Sequence, residues 1–130
     1  MEEIYLDTPE EGFVNITDQV QEIVLDSLVA NGICVVFAPH TTAGITINEN
    51  ADPNVIDDIL LALEDMVPAL EYTHAEENSP AHVKSSLMGC SATIPIVDHQ
   101  LMLGLWQAIY FCEFDGPRPR KVLVQIIGCP

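Results

Sequence analysis

The sequence predicts an α+β domain, a mostly antiparallel curved sheet or sandwich with about three helices packed on it. Three observations lead there. Helix-start signals recur through the first two thirds of the 130 residues, and the last third reads as strands broken by turns. No repeat, linker or low-complexity stretch divides the chain, so residues 1–130 make one domain.

Taken in order, EIYLD (3–7) and FVNI (13–16) are short strands separated by a TPEEG turn. Thr17 caps a first helix with Asp18 in its first turn, and Val20, Ile23, Val24, Ser27 and Leu28 give its apolar stripe. Asn31-Gly32 stops it. ICVVFA (33–38) is a buried strand, and the alternating GITIN (44–48) is its neighbour. Asp52-Pro53 starts a second helix, because an acid caps and proline fits the first helical position. Val55, Ile59, Leu60, Leu63 and Val67 are its buried stripe, and Pro68 ends it. Ser79-Pro80 starts a short third helix that runs to about Met88 and stops at Gly89.

The strands that follow are SATIPIV, then LMLGLWQAIYFCEF after a turn at Asp98-His99-Gln100, then KVLVQIIG after a turn at Gly116-Pro117. In the long middle strand Trp106 reads as core rather than as a stacking platform. These strands carry apolar residues on both faces, so helices or another subunit must cover one of them, and the chain is expected not to be a monomer.

The charge is lopsided: 20 acids against 4 bases, net −16, with pI ≈ 4.1. Such a surface repels phosphate backbones and anionic lipid, which argues against nucleic-acid and membrane partners. Self-repulsion at this charge suits high ionic strength or bound cations. The N-terminus lacks the basic and apolar regions of a signal peptide, and no apolar run is long enough to span a bilayer, so a cytoplasmic location is expected. Cys34, Cys90, Cys112 and Cys129 are scattered without a C-x-x-C pair and are expected to stay reduced.

Three histidines fall at element ends: His40 after a strand, His74 before a loop, His82 in the first turn of the third helix. Three imidazoles make a metal site of catalytic type with an open position, although their spacing matches no H-x-x-x-H pattern and a turn histidine can simply be hydrogen-bonded. The third helix opens with free N–H groups and the positive end of its dipole, where Asn78 and Ser79 add donors and Lys84 and Ser85 follow within a turn or so. That is a candidate phosphate site, with a capping serine and a solvated lysine as the plain alternative. The run TTAGITINENADP carries Thr41, Thr42, Asn48, Glu49, Asn50 and Asp52, a density that suits a hard cation or a polar substrate, though capping and turn roles are open to it too. In CEFDGPRPR, Glu113 and Asp115 stand beside Arg118 and Arg120, as in a hairpin tip with internal ion pairs.

The stretches APHTTAGITINEN, Y-T-H, NSPAHVKSSLMG, IPIVDHQLMLGLWQAIYFCEFDGPR and KVLVQIIG, in that order over about residues 3 to 128, resemble the YjbQ-like proteins, a family of secondary thiamine-phosphate synthases. The combination is specific although no single piece is. The resemblance implies a small α+β fold, a homotrimer or a multiple of one, and a histidine-rich site that can hold a divalent metal ion, zinc first and magnesium second. By position, its histidines are His40, His74 and His82, both as metal ligands and as catalytic residues. Asn78, Ser79, Lys84 and Ser85 would hold phosphate. Glu77 stands where the family often has glycine or aspartate, which bears on how the loop wraps a phosphate.

The activity so implied joins an aminopyrimidine diphosphate to a thiazole phosphate with release of pyrophosphate. Glu113 or Glu49 would steady the cationic pyrimidine. The alternatives are a non-catalytic module that binds a metal or a small phosphorylated metabolite, and another phosphate-ester transferase or hydrolase.

Overall fold

The computed structural model describes residues 1–70, 72–73 and 78–130. Among the described residues, eight strands and three helices run β1 (Glu2–Asp7), β2 (Gly12–Asn15), α1 (Thr17–Ser27), β3 (Gly32–Phe37), β4 (Ala43–Glu49), α2 (Pro53–Met66), α3 (Ser79–Met88), β5 (Ser91–Val97), β6 (Gln100–Leu101), β7 (Gln107–Glu113) and β8 (Pro119–Gly128). They make two antiparallel sheets: five strands ordered β1-β8-β3-β5-β6, and three ordered β2-β7-β4. The α+β architecture expected from the sequence is the one observed, but 33–38 and 44–48 are not neighbours: β3 pairs with β5 and β8 in one sheet and β4 with β7 in the other.

Strand alternation explains how two sheets and three helices share two cores. From β7, Ile109 and Phe111 enter the inter-sheet core with Cys34 and Val36 of β3, Val122 and Val124 of β8, and Val20 and Val24 of α1. The alternate residues Ala108, Tyr110 and Cys112 face the other way, onto Leu63 of α2 and Ala81 of α3. Every residue of β7 from Ala108 to Glu113 is therefore buried, and the chain itself covers both of its faces. A fully buried isoleucine or valine side chain contributes about 1.5–3 kcal/mol, so this strand is the fold's centre of gravity.

Several sequence expectations need correcting. Thr17 does not cap α1. Asn15 Oδ1 accepts from both the Thr17 N–H and its hydroxyl, while Thr17 Oγ1 accepts from the Ile109 N–H at 2.9 Å. A pairing need of β7 thus outranks the local cap. The helix ends at Leu28, in the left-handed region at φ 61°, before Asn31-Gly32 is reached. The long run 101–114 is not one strand. β6 stops after two residues, and β7 begins only at Gln107. Trp106, expected in the core, is 62% exposed in the intervening segment beside Leu105 at 95%.

The β5–β6 turn is a two-residue hairpin with positive φ at both Asp98 and His99, as a right-twisted pair of strands prefers. Asp52 does cap α2, accepting from the Asn54 N–H at 2.9 Å. All four cysteines are free, Cys34 and Cys112 buried and Cys90 and Cys129 exposed. No described helix is long and apolar enough to cross a membrane.

Candidate functional site

Three chain segments meet at one end of the sandwich. The first is the connection from β3 to β4, the second the connection from β7 to β8, the third the start of α3. Ala38 N–H donates to Cys90 O just past α3, and Phe114 N–H donates to Thr42 O, which ties the three together. Gly116 allows the approach of the second segment. Its backbone lies so close to Pro9 O that a Cβ would sit 2.0 Å from that oxygen. Between them is an open cleft of ≈ 320 Å³, bounded by Pro39, His40, Thr41 and Thr42 of the first segment, Asp115, Arg118 and Arg120 of the second, and Asn78 and His82 of α3.

The floor is an ion pair. Glu113 is fully buried, and its carboxylate accepts from Arg120 Nε (2.8 Å) and Nη2 (2.5 Å), Thr8 Oγ1 (2.5 Å) and the Asp115 N–H (3.1 Å). Burial alone would push its pKa up; the bonds from Arg120, Thr8 and Asp115 and the guanidinium charge outweigh that and hold it below the usual carboxylate range. Arg120 Nη2 also donates to Thr42 Oγ1 at 2.8 Å. Only 6% of Arg120 is exposed, yet it lines the cleft, and its Nη1 makes no hydrogen bond to a described residue. A buried, rigidly held cation with one free fork is how proteins receive phosphate or carboxylate.

Arg118 adds a second, more exposed guanidinium, braced on Asp115 through its carboxylate (3.0 Å) and its carbonyl (2.7 Å). Asp115 also accepts from Asn78 Nδ2 at 2.7 Å, and the buried Asn78 Oδ1 has no described partner. His40 packs edge-on against Phe111, with Nε2 at the Lys121 backbone (3.0 Å to O, 3.1 Å from N). That leaves Nδ1 as the nitrogen not engaged by Lys121. Burial, helped by the charges of Arg120 and Lys121, lowers the His40 pKa against the opposing pull of the Lys121 backbone and Glu113.

The structure sorts the residues expected from the sequence into two groups. His40, His82 and Asn78 line one cleft. His74 lies outside the described residues, and among those described no cluster of three or more His, Cys, Asp or Glu could hold a metal ion. Ser79 begins α3, but the helix offers its dipole rather than a row of donors: Pro80 has no N–H, and those of Ala81 and His82 turn to Asn78 O at 3.0 and 3.4 Å.

Lys84 and Ser85 do not line the cleft. With Ala81 they form the buried face of α3, at i, i+3 and i+4. Lys84 Nζ sits between Glu11 (2.8 Å) and Glu64 (2.7 Å), and Ser85 Oγ donates to Ala43 O at 2.9 Å. The polar run 41–52 is split by β4, which carries Thr41 and Thr42 to the cleft and Asn48, Glu49, Asn50 and Asp52 to its far end. Arg118, Arg120 and Asp115 stand at the cleft instead. The signal for them is that three of the four bases fall within 118–121, at a hairpin end.

A family profile described as "UPF0047 protein YjbQ-like" matches residues 2–129. A UPF0047 protein of Methanocaldococcus jannaschii is 54% identical over 119 residues, 91% of this chain and 86% of that one. The UPF0047 protein YugU of Bacillus subtilis is 42% identical over 93% of each. Among solved structures, a YjbQ/UPF0047 protein of Clostridium acetobutylicum superposes with a TM-score of 0.95 at 54% identity, covering 98% of this chain and 100% of that one. A Sulfolobus solfataricus protein gives 0.93 at 34% identity over 98% and 96%.

Proposed function

The chain belongs to the YjbQ-like UPF0047 family, and from that premise we propose that its cleft binds a small phosphorylated metabolite and supports transfer of the thiamine-phosphate-synthase type. In that reaction the ring nitrogen of a thiazole phosphate attacks the methylene of an aminopyrimidine diphosphate; the new C–N bond forms as the C–O bond to diphosphate breaks, and pyrophosphate leaves with the electron pair. The observation that carries the reading is Arg120, 6% exposed, fixed by Glu113 and Thr42, and lining the cleft with its Nη1 unengaged by any described residue.

Donors fixed before the reaction, aimed where charge develops, lower the barrier because they need no reorganisation. Arg120 fills that role for the departing pyrophosphate, and Arg118 supplements it from the rim. The attacking nitrogen has its own lone pair, so no protein nucleophile is required. Glu113 does not touch substrate in this scheme; it positions Arg120. His40, kept neutral by burial, and His82 supply imidazole nitrogens beside the anion.

A divalent ion, zinc or magnesium, would add charge neutralisation when bound. The described donors alone do not make its site, since two imidazoles at one cleft need His74 or another ligand to complete a shell. The working form we propose is a cytoplasmic homotrimer or a multiple of it.

Calorimetry with pyrophosphate at one fixed salt concentration tests the binding half, and mass-spectrometric detection of thiamine phosphate from the two substrates, with and without EDTA, tests the chemistry. Absence of pyrophosphate binding would end the reading. Binding without product leaves the non-catalytic module, which the engagement of Glu113 by four hydrogen bonds favours over any scheme that uses this carboxylate as a base.

A further inference from the structure

The two carboxylates at the cleft are engaged in different ways. Glu113, on the floor, has both oxygens filled: Oε1 accepts from Thr8 Oγ1 and Arg120 Nε, Oε2 from Arg120 Nη2 and the Asp115 N–H. Four donors on a fully buried group leave nothing for a ligand, and what Glu113 does is hold Arg120. Asp115 is engaged through one oxygen alone. Its Oδ2 takes Arg118 Nη2 at 3.0 Å and Asn78 Nδ2 at 2.7 Å, whereas Oδ1 makes no hydrogen bond to a described residue. The Asp115 side chain is 25% exposed, and it lines the cleft together with Arg118 and Arg120.

Bracing Arg118 needs only the oxygen already in use. The second oxygen sets an acceptor among the donors of an anion site, since an ionised carboxylate has no proton to give. Toward a bare dianion it is repulsive, and like charges brought face to face work against binding. Toward an oxyanion that keeps one proton it is a partner: the P–OH group donates to Oδ1 in a charge-assisted bond while the other oxygens accept from Arg118 and Arg120. Sulfate and the hydrogen-phosphate dianion share shape and charge and differ in that proton. We infer that Asp115 is the specificity-determining residue of the cleft, admitting an oxyanion that bears a proton, the hydrogen-phosphate group, and rejecting sulfate and other unprotonated dianions. The inference rests on the proposed anion site and adds the state of the anion it takes and the residue that reads it. Asn78 and Arg118 are positioning residues here, because by holding Oδ2 they fix the orientation of the carboxylate.

Calorimetry of the wild-type protein with inorganic phosphate, sulfate and fluorophosphate separates the two levels. All three are measured at one salt concentration and at about pH 8, above the second phosphate pKa of about 6, where sulfate and fluorophosphate are dianions of similar shape without a proton. A single pH also keeps the charges of His40 and His82, which line the same cleft, equal in every arm. Phosphate should bind at least about tenfold more tightly than either of the others, the order expected for one hydrogen bond to a charged group. Asp115→Asn should bring the three affinities within about threefold of one another, chiefly by strengthening sulfate and fluorophosphate. The amide keeps an oxygen for Arg118 and Asn78 and offers an N–H to the ligand, whereas loss of a mere brace would weaken all three anions alike. Equal wild-type affinities, or an Asp115→Asn variant that keeps the preference for phosphate, would overturn the assignment and leave the anion site standing. Should the variant not fold, the wild-type comparison decides by itself. If none of the three anions binds, the anion site itself is wrong and this inference falls with it.

Discussion

Arg120 and Glu113 meet as a two-pronged pair at the end where β7 turns into β8, Nε on Oε1 at 2.8 Å and Nη2 on Oε2 at 2.5 Å, with both side chains almost wholly buried. Each partner also has neutral hydrogen bonds, from Thr8 and the Asp115 N–H on one side and to Thr42 on the other. A buried pair of this kind matters most when half of it is removed, because an uncompensated charge remains. Glu113→Gln should therefore lower unfolding free energy by about 3–5 kcal/mol in urea titration. A loss below about 1 kcal/mol would mean that the cleft solvates Arg120 well enough to stand alone.

The same pair gives the protein an acid limit, and His40 gives a second one. Both groups have folded pKa values below their ordinary ones, 4.5 for the carboxyl and 6.5 for the imidazole. A depressed pKa means the folded state prefers the deprotonated form, so each contribution is complete above the ordinary value and is lost as pH falls through the folded one. Stability should thus decline on acidification first below about 6.5, from His40, and again below the ordinary carboxylate range, from Glu113. An NMR titration should find the His40 midpoint below 6.5. A midpoint above it would contradict the burial that the structure gives this ring.

How much of this was legible beforehand depends on which force decides each element. The Asp52-Pro53 helix start and the SATIPIV strand at 91–97 were readable because capping and turn signals act locally. Thr17 was not, since its hydroxyl serves Ile109, 92 positions away. Trp106 misled because an apolar run says nothing about where a strand stops, and here pairing begins only at Gln107, opposite Glu49. At the site, His40, His82 and Asn78 were found by type and by family resemblance. Arg118 and Arg120 read as ion-paired with Glu113 and Asp115 at a hairpin tip, and that pairing holds; the burial of Arg120 at the cleft was not legible, because it depends on packing that sequence spacing does not show.

Lys84 shows the opposite error and yields a third prediction. Off any apolar stripe, it reads as a solvated cation available to a ligand, yet 4% of it is exposed and its ammonium joins Glu11 to Glu64. Burial pushes its pKa down, but the two carboxylates overcome this and leave it raised, so its contribution is complete below the ordinary lysine value and fades only as pH rises through the folded one. Lys84→Met should lower thermal stability, by about 1–3 kcal/mol for a charge-assisted contact, and leave pyrophosphate affinity within about twofold. A large drop in affinity with unchanged melting would put the lysine back at the anion.

The last prediction concerns assembly. The sequence pointed to apolar strands with two covered faces, and the structure divides that signal in two. β7 is satisfied within the chain, between the inter-sheet core and α2 with α3. The outer face of the five-stranded sheet is not: Ile33 and Phe37 of β3 are each 38% exposed, Val97 of β5 38%, and Ile127 of β8 50%. Ile33 pairs across to both Ile127 and Pro95, and Phe37 pairs to Leu123; Val35 joins these two apolar rows along β3, with Thr93 and Gln125 on either side of it. Inward-facing Cys34 and Val36 account for only half of the apolar character of β3. Contiguous apolar surface on a net charge of −16 has few uses other than contact with an equally apolar surface. Light scattering in moderate salt should give a multiple of 14.3 kDa, three being the expected number. The double change Ile33→Glu with Ile127→Glu should shift it to 14.3 kDa while the circular dichroism spectrum is kept, since both side chains point outward. A wild-type mass of one chain, or a double variant that stays assembled, would move the interface elsewhere, with Leu105 and Trp106 as the next exposed apolar group.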